Sequence, residues 1–109
     1  MVGEVLVLGA EGLLGATLCP RLKSMGWSVV RQSRRSGADL LCDPSSTSSL
    51  RSALKGLELS AIINLIAISD VDYCESHMME AYLAHVRTVE VLASVIKEIE
   101  NPPHLIQIS

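Results

Sequence analysis

The stretch Val5 to Leu18, VLVLGAEGLLGATL, limits what this chain can fold into more than any other part of it. An unbroken Val/Leu run stops at Gly9, and apolar residues at helical spacing, Leu13, Leu14, Leu18 and Leu22, follow Gly12. A short apolar run without polar alternation reads as a strand buried on both faces, as in parallel sheets. The switch of period across three spaced glycines predicts a tight strand-turn-helix unit. Each glycine of Gly9-x-x-Gly12-x-x-Gly15 has its own reason to be small. Gly9 allows the turn off the strand, Gly12 lets a ligand approach the backbone, and Gly15 lets the helix lie close to the sheet. The first-turn amides from Gly12 to Leu14 then face an anion that the helix dipole favours. Such a turn serves a pyrophosphate, so a dinucleotide cofactor is expected. The plain alternative is a small-residue loop with no ligand.

The rest of the chain alternates strands with helices. A helix over Gly12 to Met25 carries Pro20, which removes one backbone hydrogen bond, and Gly26 stops it. Trp27 to Arg31 reads as a second strand, Ser33 to Gly37 as a polar turn, and Ala38 to Cys42 as a weaker third strand. A Ser-rich loop after Asp43 leads into a helix over Ser48 to Lys55, stopped by Gly56. Ala61 to Ile68 is the strongest buried-strand signal. Ser76 to Glu100 reads as one long amphipathic helix with Met78 and Met79 packed beneath it, Asn101-Pro-Pro breaks it, and His104 to Ile108 opens a fifth strand. The order β-α-β-β-α-β-α-β predicts an α/β fold. It is a Rossmann-type, doubly wound parallel sheet of about five strands, incomplete, in one domain over residues 1–109. The link between the second and third strands is too short for a crossover helix, yet it must reverse the chain.

Composition removes several function classes. The net charge of −3 leaves no basic excess for nucleic acid, and the absence of Phe with 3% aromatics leaves no stacking platform for single strands. Hydrophobic residues make up 49% of the 109, so the chain can bury an aliphatic core. No apolar run reaches the ~18 residues of a membrane span, and no secretory signal pattern opens the chain. A cytoplasmic protein is expected. Cys19, Cys42 and Cys74 have neither zinc-ligand nor disulfide-scaffold spacing and read as free thiols. Asp70, Asp72 and Glu75 read as carboxylates at a helix N-terminus rather than as a metal cluster, and no metal is expected. His77, His85 and His104 read as surface or packing residues.

The end of the second strand is where a carboxylate would bind the adenosine ribose of NAD. This chain has Arg31-Gln-Ser-Arg-Arg35 there, without Asp or Glu. Arg34 and Arg35 suit a 2′-phosphate, so NADP is favoured with NAD as the alternative. A solvated basic turn is the plain reading of the same residues.

These residues also resemble a known family. VLGAEGLLG is similar to the TGAxGxxG turn of extended short-chain dehydrogenase/reductases, with Leu8 where Thr is usual. INLIA at 63–67 resembles the N-A-A run at the end of their fourth strand. Asp70-Val-Asp-Tyr-Cys-Glu75 resembles the V-D-x-x-E stretch of dTDP-4-dehydrorhamnose reductases (RmlD-like), and IQIS at 106–109 resembles the start of their I-S-T-D-Y-V-F segment. The resemblance implies that Gly12, Leu13 and Leu14 present amides to the pyrophosphate and that Gln32 lies near the adenosine ribose. It places Asp39 and Leu40 near the adenine, an alignment that the spacing to Asp43 leaves open by one residue, and sets Ala67, Ile68 and Ser69 along the nicotinamide-side ribose. It implies NAD(P)H-dependent reduction of the 4-keto group of a nucleotide-linked sugar, as in dTDP-rhamnose biosynthesis.

Two departures stand out. His85 occupies the position where the family carries an Asn that braces the loop after the fourth strand. The family's catalytic Ser/Thr and Tyr-x-x-x-Lys fall beyond Ser109, and no Tyr-x-x-x-Lys occurs in this sequence. No catalytic residue is therefore assigned, and the chain reads as the cofactor-binding part of such an enzyme. The alternatives are a fragment of a nucleotide-sugar epimerase or dehydratase, or a non-catalytic NADP-binding regulatory subunit, a role that relatives of this branch play for a methionine adenosyltransferase. A fifth strand left as a sheet edge would favour a homodimer.

Overall fold

The computed structural model describes residues 3–35, 37–68 and 70–108. Five parallel strands, β1 (Glu4–Leu8), β2 (Ser28–Ser33), β3 (Leu40–Leu41), β4 (Leu59–Asn64) and β5 (His104–Gln107), form one sheet in the order β3-β2-β1-β4-β5. The central strand β1 explains its own composition. Leu6 and Leu8 point into one apolar cluster and Val5 and Val7 into the other, so both faces of the strand are core. Helix α1 (Leu13–Ser24) covers the Val5/Val7 face with Leu18, Cys19 and Leu22. Helices α2 (Thr47–Leu54) and α5 (Thr88–Ile96) cover the other face with Leu50, Leu54, Val91, Leu92 and Val95. The sheet is thus wound on both faces, as the alternating pattern predicts.

The chain steps from β1 outward through β2 to β3, then returns to the other side of β1 for β4 and β5. That reversal leaves a crevice at the carboxyl ends of β1 and β4, the place where such sheets bind ligands. The short link between β2 and β3 works because little has to pair. Only Gln32 with Leu40 and Ser33 with Leu41 are in register, so β3 is shorter than the expected Ala38–Cys42. Asp39 ties the returning chain down by accepting the Arg31 amide at 2.9 Å.

The long helix expected over Ser76 to Glu100 is corrected. A separate helix, α3 (Val71–Ser76), precedes it, started by Asp70, whose side chain accepts the Tyr73 amide at 3.0 Å. The chain leaves helical geometry at His77 (φ −130°, ψ 58°). A continuous rod then runs through α4 (Met78–Tyr82), a π-helical turn (Leu83–Arg87) and α5. Thr88 makes the wide turn: its amide and its hydroxyl, the latter at 2.9 Å, both donate to the Leu83 carbonyl five residues back. Apolar periodicity is blind to one inserted residue, so a straight helix is what it predicts. Met78 and Met79 are also corrected: they are 75% and 69% exposed rather than packed beneath the helix. Among the described residues no helix is long and apolar enough to cross a membrane.

Candidate functional site

The crevice is a cleft of about 700 Å³ whose walls come from five segments: the glycine turn, the end of β2, the loop after β3, the loop after β4, and the helical rod from Glu80 to Thr88 that faces it. That volume is within the usual range for small-molecule sites. Most of its residues lie at the carboxyl ends of the strands and the rest on the helical rod that faces them, so the fold gathers them although they span 80 positions of sequence, from Gly9 to Thr88.

The three glycines differ in what holds them small. Gly9 has φ +72°, the left-handed region, and a Cβ there would also lie 3.1 Å from Ile66. Gly15 is a packing glycine: a Cβ would stand 2.3 Å from the Ala10 carbonyl oxygen. Gly12 is neither. Its backbone is extended (φ −71°, ψ 175°), and a Cβ would meet only the Gly9 oxygen at 3.7 Å, an ordinary contact. The protein itself does not require glycine there, but the space a Cβ would fill opens on the cleft. Gly12 is also the N-cap of α1, without a side-chain cap and with no acidic residue in the first turn. The first-turn amides of Leu13 and Leu14 are therefore free donors at the positive end of a helix dipole. The side chains of Leu13 and Leu14 are exposed and take no part in the walls.

Gln32 is 2% exposed and spends its amide inside the protein. Its Oε1 accepts the Gly9 amide at 2.9 Å and its Nε2 donates to the Cys42 carbonyl at 2.9 Å. It borders the cleft, but its evident work is to clamp the glycine turn to β3. Arg34 and Arg35 line the adjoining wall as exposed residues, and among the described residues neither is ion-paired. Asp39 and Leu40 do not line the cleft. Asp39 is spent on the Arg31 amide and Leu40 on pairing with Gln32. The carboxylate that reaches the cleft is Asp43, with Pro44 and Ser45 beside it. The Ser45 hydroxyl donates to Asp43 Oδ1 at 2.6 Å and holds the carboxyl below the usual carboxylate range, with Arg34 adding a smaller push. The assignment of Asp39 and Leu40 to the cleft is thus corrected: Asp43, which the sequence reading did not assign, is the carboxylate that lines it.

The far wall is Leu65 to Ile68. Asn64, fully buried, turns the chain there: its Oδ1 accepts the Ile66 amide at 3.1 Å, and its Nδ2 donates to Gln107 Oε1 at 2.8 Å. Ala67 and Ile68 line the cleft, while Ser69 lies outside the described residues, as does Ser109. Opposite stand Glu80, Leu83, Ala84 and Thr88. His85 is not merely a surface residue, for its Nε2 accepts the Ile68 amide at 2.8 Å. Glu80 receives the Tyr73 hydroxyl, whose ring stacks on His77. Sequence periodicity could not find Glu80, Leu83 and Thr88 as wall residues, because their facing depends on the break at His77 and the wide turn.

Cys19 and Cys42 are buried, Cys74 is half-buried, and all three are free. Among the described residues no three metal-ligating side chains come together.

Comparison with known proteins places this geometry. The family model described as "RmlD substrate binding domain" matches residues 3–109. The spore coat polysaccharide biosynthesis protein SpsK of Bacillus subtilis is 31% identical over 80 residues, which are 73% of this chain and 26% of that protein. A dTDP-4-dehydrorhamnose reductase from Clostridium acetobutylicum superposes with a TM-score of 0.81 at 23% identity, covering 97% of this chain and 35% of the other. The Bacillus anthracis dTDP-4-dehydrorhamnose reductase, solved in complex with NADP, gives 0.79 at 22% identity over 96% of this chain and 35% of that one. The chain spans about a quarter to a third of the length of these proteins.

Proposed function

The chain belongs to the RmlD substrate binding domain family, and from that premise we propose that its cleft binds NADP(H), as the cofactor-binding part of a nucleotide-sugar reductase. The observation that carries the reading is Gly12, a glycine that the fold does not need, placed over free helix amides at the mouth of a cleft. In this reading the free amides of Leu13 and Leu14 hold the pyrophosphate, while the Gly12 amide donates to the Gly9 carbonyl at 3.3 Å and closes the turn. Arg34 and Arg35 pair with the adenosine 2′-phosphate, and the Asp43 carboxylate accepts from the adenine amino group. Gly9, Gly15 and Gln32 act indirectly by fixing the turn. Ala67 and Ile68 form the wall for the nicotinamide-side ribose. The bound cofactor would supply hydride to a sugar ketone. This chain's contribution is to bind and orient it. The crystal complex of the Bacillus anthracis relative with NADP supports the cofactor class.

Isothermal titration with NADPH and with NADH tests the proposal. NADPH binds at least about tenfold more tightly, the worth of one charge-assisted hydrogen bond. Gly12→Val abolishes binding of both while leaving the unfolding midpoint close to that of the parent. A folded chain that binds neither cofactor, or a Gly12→Val variant that binds as well as the parent, overturns the reading.

A further inference from the structure

On the reading of the cleft as a dinucleotide site, we infer that His85 is a positioning residue for its nicotinamide-side wall, and that it holds this wall only as the neutral imidazole.

The geometry sets the protonation state. The Ile68 amide is a donor, and it points at His85 Nε2 at 2.8 Å. Nε2 must therefore carry a lone pair, and the ring proton must sit on Nδ1. An imidazolium has N–H at both positions and cannot accept. Protonation would set two donors face to face and release the segment from the helix.

What the bond holds is part of the cleft. Ile68 and Ala67 line one wall, and Ala84, next to His85, lines the other. The aim of His85 comes from the π-helical turn over Leu83–Arg87, since one inserted residue rotates the side chains of a helix by about 100°. Thr88 holds that turn open through its hydroxyl bond to Leu83. Among the described residues, Cys74 also reaches this end of the loop, its thiol donating to the Ile68 carbonyl at 3.5 Å. Its Ile68 partner atom differs, so Cys74 cannot replace the bond from the amide. An Asn at position 85 could also accept from Ile68, but it would be indifferent to pH. Histidine is the side-chain type that changes charge between roughly pH 5 and 8.

The elements beside the brace carry further titratable and charged groups. On α3 and its cap these are Asp70, whose carboxylate accepts the Tyr73 amide, Asp72, Cys74 and Glu75. On the helical rod they are Glu80 on the cleft wall, Arg87, and Glu90, which accepts the Tyr82 hydroxyl. Of the other histidines, His77 stacks on Tyr73 beside the rim. His104 begins β5, opposite Ala61, at the end of the sheet away from the cleft.

The test uses the whole chain and NADP⁺, whose oxidised ring survives acid. Affinity is measured by calorimetry at about pH 8 and about pH 5.5, for the parent, His85→Asn, His85→Gln and His77→Gln. In parallel the Ile68 amide is followed by proton–nitrogen NMR without cofactor across the same range. The parent loses roughly three- to tenfold more affinity on acidification than the His85 variants, the worth of one hydrogen bond. The parent's Ile68 amide shifts with the loss, and His77→Gln behaves like the parent. Subtracting the His85→Asn profile removes the titration of the cofactor's own phosphate. Equal pH profiles for the parent and both His85 variants, an Ile68 amide that ignores pH, or a flat profile in His77→Gln would each overturn the inference. If NADP⁺ fails to bind at about pH 8, the dinucleotide reading falls, and the Ile68 amide titration still decides the brace.

Discussion

Replacing Gly15 by Ala tests whether the start of α1 lies on the sheet as closely as the structure shows. The new Cβ would stand 2.3 Å from the Ala10 oxygen, 2.6 Å from its carbonyl carbon and 2.7 Å from its Cα. Relief needs a shift of roughly an ångström, and the obstacle is main chain rather than a movable side-chain tip, so the cost is about 3 kcal/mol, the upper end for overpacking. Alanine in place of glycine within a helix returns about 1 kcal/mol. The expected net loss is about 2 kcal/mol, a large share of the 5–15 kcal/mol typical of a domain. Trp27 is the sole tryptophan and packs against the cluster under α1, so its fluorescence reports this region during urea unfolding. With a slope of about 1.5 kcal/mol per molar urea, the midpoint falls by a little over 1 M. Gly12→Ala, whose Cβ meets only an atom at 3.7 Å, shifts the midpoint by less than half as much. A Gly15→Ala protein as stable as the parent would refute the close approach of α1 to the turn.

Two further outcomes follow from the buried polar groups. Gln32→Leu leaves the Gly9 amide and the Cys42 carbonyl without their partners, so it lowers stability by about 2–4 kcal/mol in urea unfolding. Gln32→Glu keeps the acceptor for Gly9 but buries a carboxylate against the Cys42 carbonyl, so it too lowers the urea midpoint. Burial pushes the Cys42 thiol up to about 11, and the neighbouring Asp43 adds to it. Because the folded value lies above the unfolded one, this contribution is whole below the ordinary thiol range and is lost as pH rises toward about 11. Stability measured across that window falls more steeply in the parent than in Cys42→Val. Equal slopes would contradict the burial effect.

Much of the architecture is legible in the sequence because it depends on local pattern. Val5 to Leu8 is apolar at every position, which only a strand covered on both faces needs. The β-α-β order then restricts the sheet to a parallel, doubly wound one through the handedness of its crossovers. The glycine spacing marks the turn, and within it Gly12 stands out as the residue whose smallness faces outward. Tertiary structure decided what depends on register and facing. Which carboxylate meets the cleft, Asp43 rather than Asp39, follows from β3 pairing with β2 through only two residues, and no local pattern encodes that pairing. Gln32 became an internal clamp because two main-chain groups distant in sequence, at Gly9 and Cys42, converge on it. The break at His77 and the π-helical turn at Leu83–Arg87 lie below the resolution of a 3.6-residue period, yet they aim Glu80, Thr88 and His85. The physical reason is common to all three cases. Hydrophobic periodicity reports which face of an element is buried, whereas the partner of a single polar group is set by contacts between segments that meet only in the folded chain.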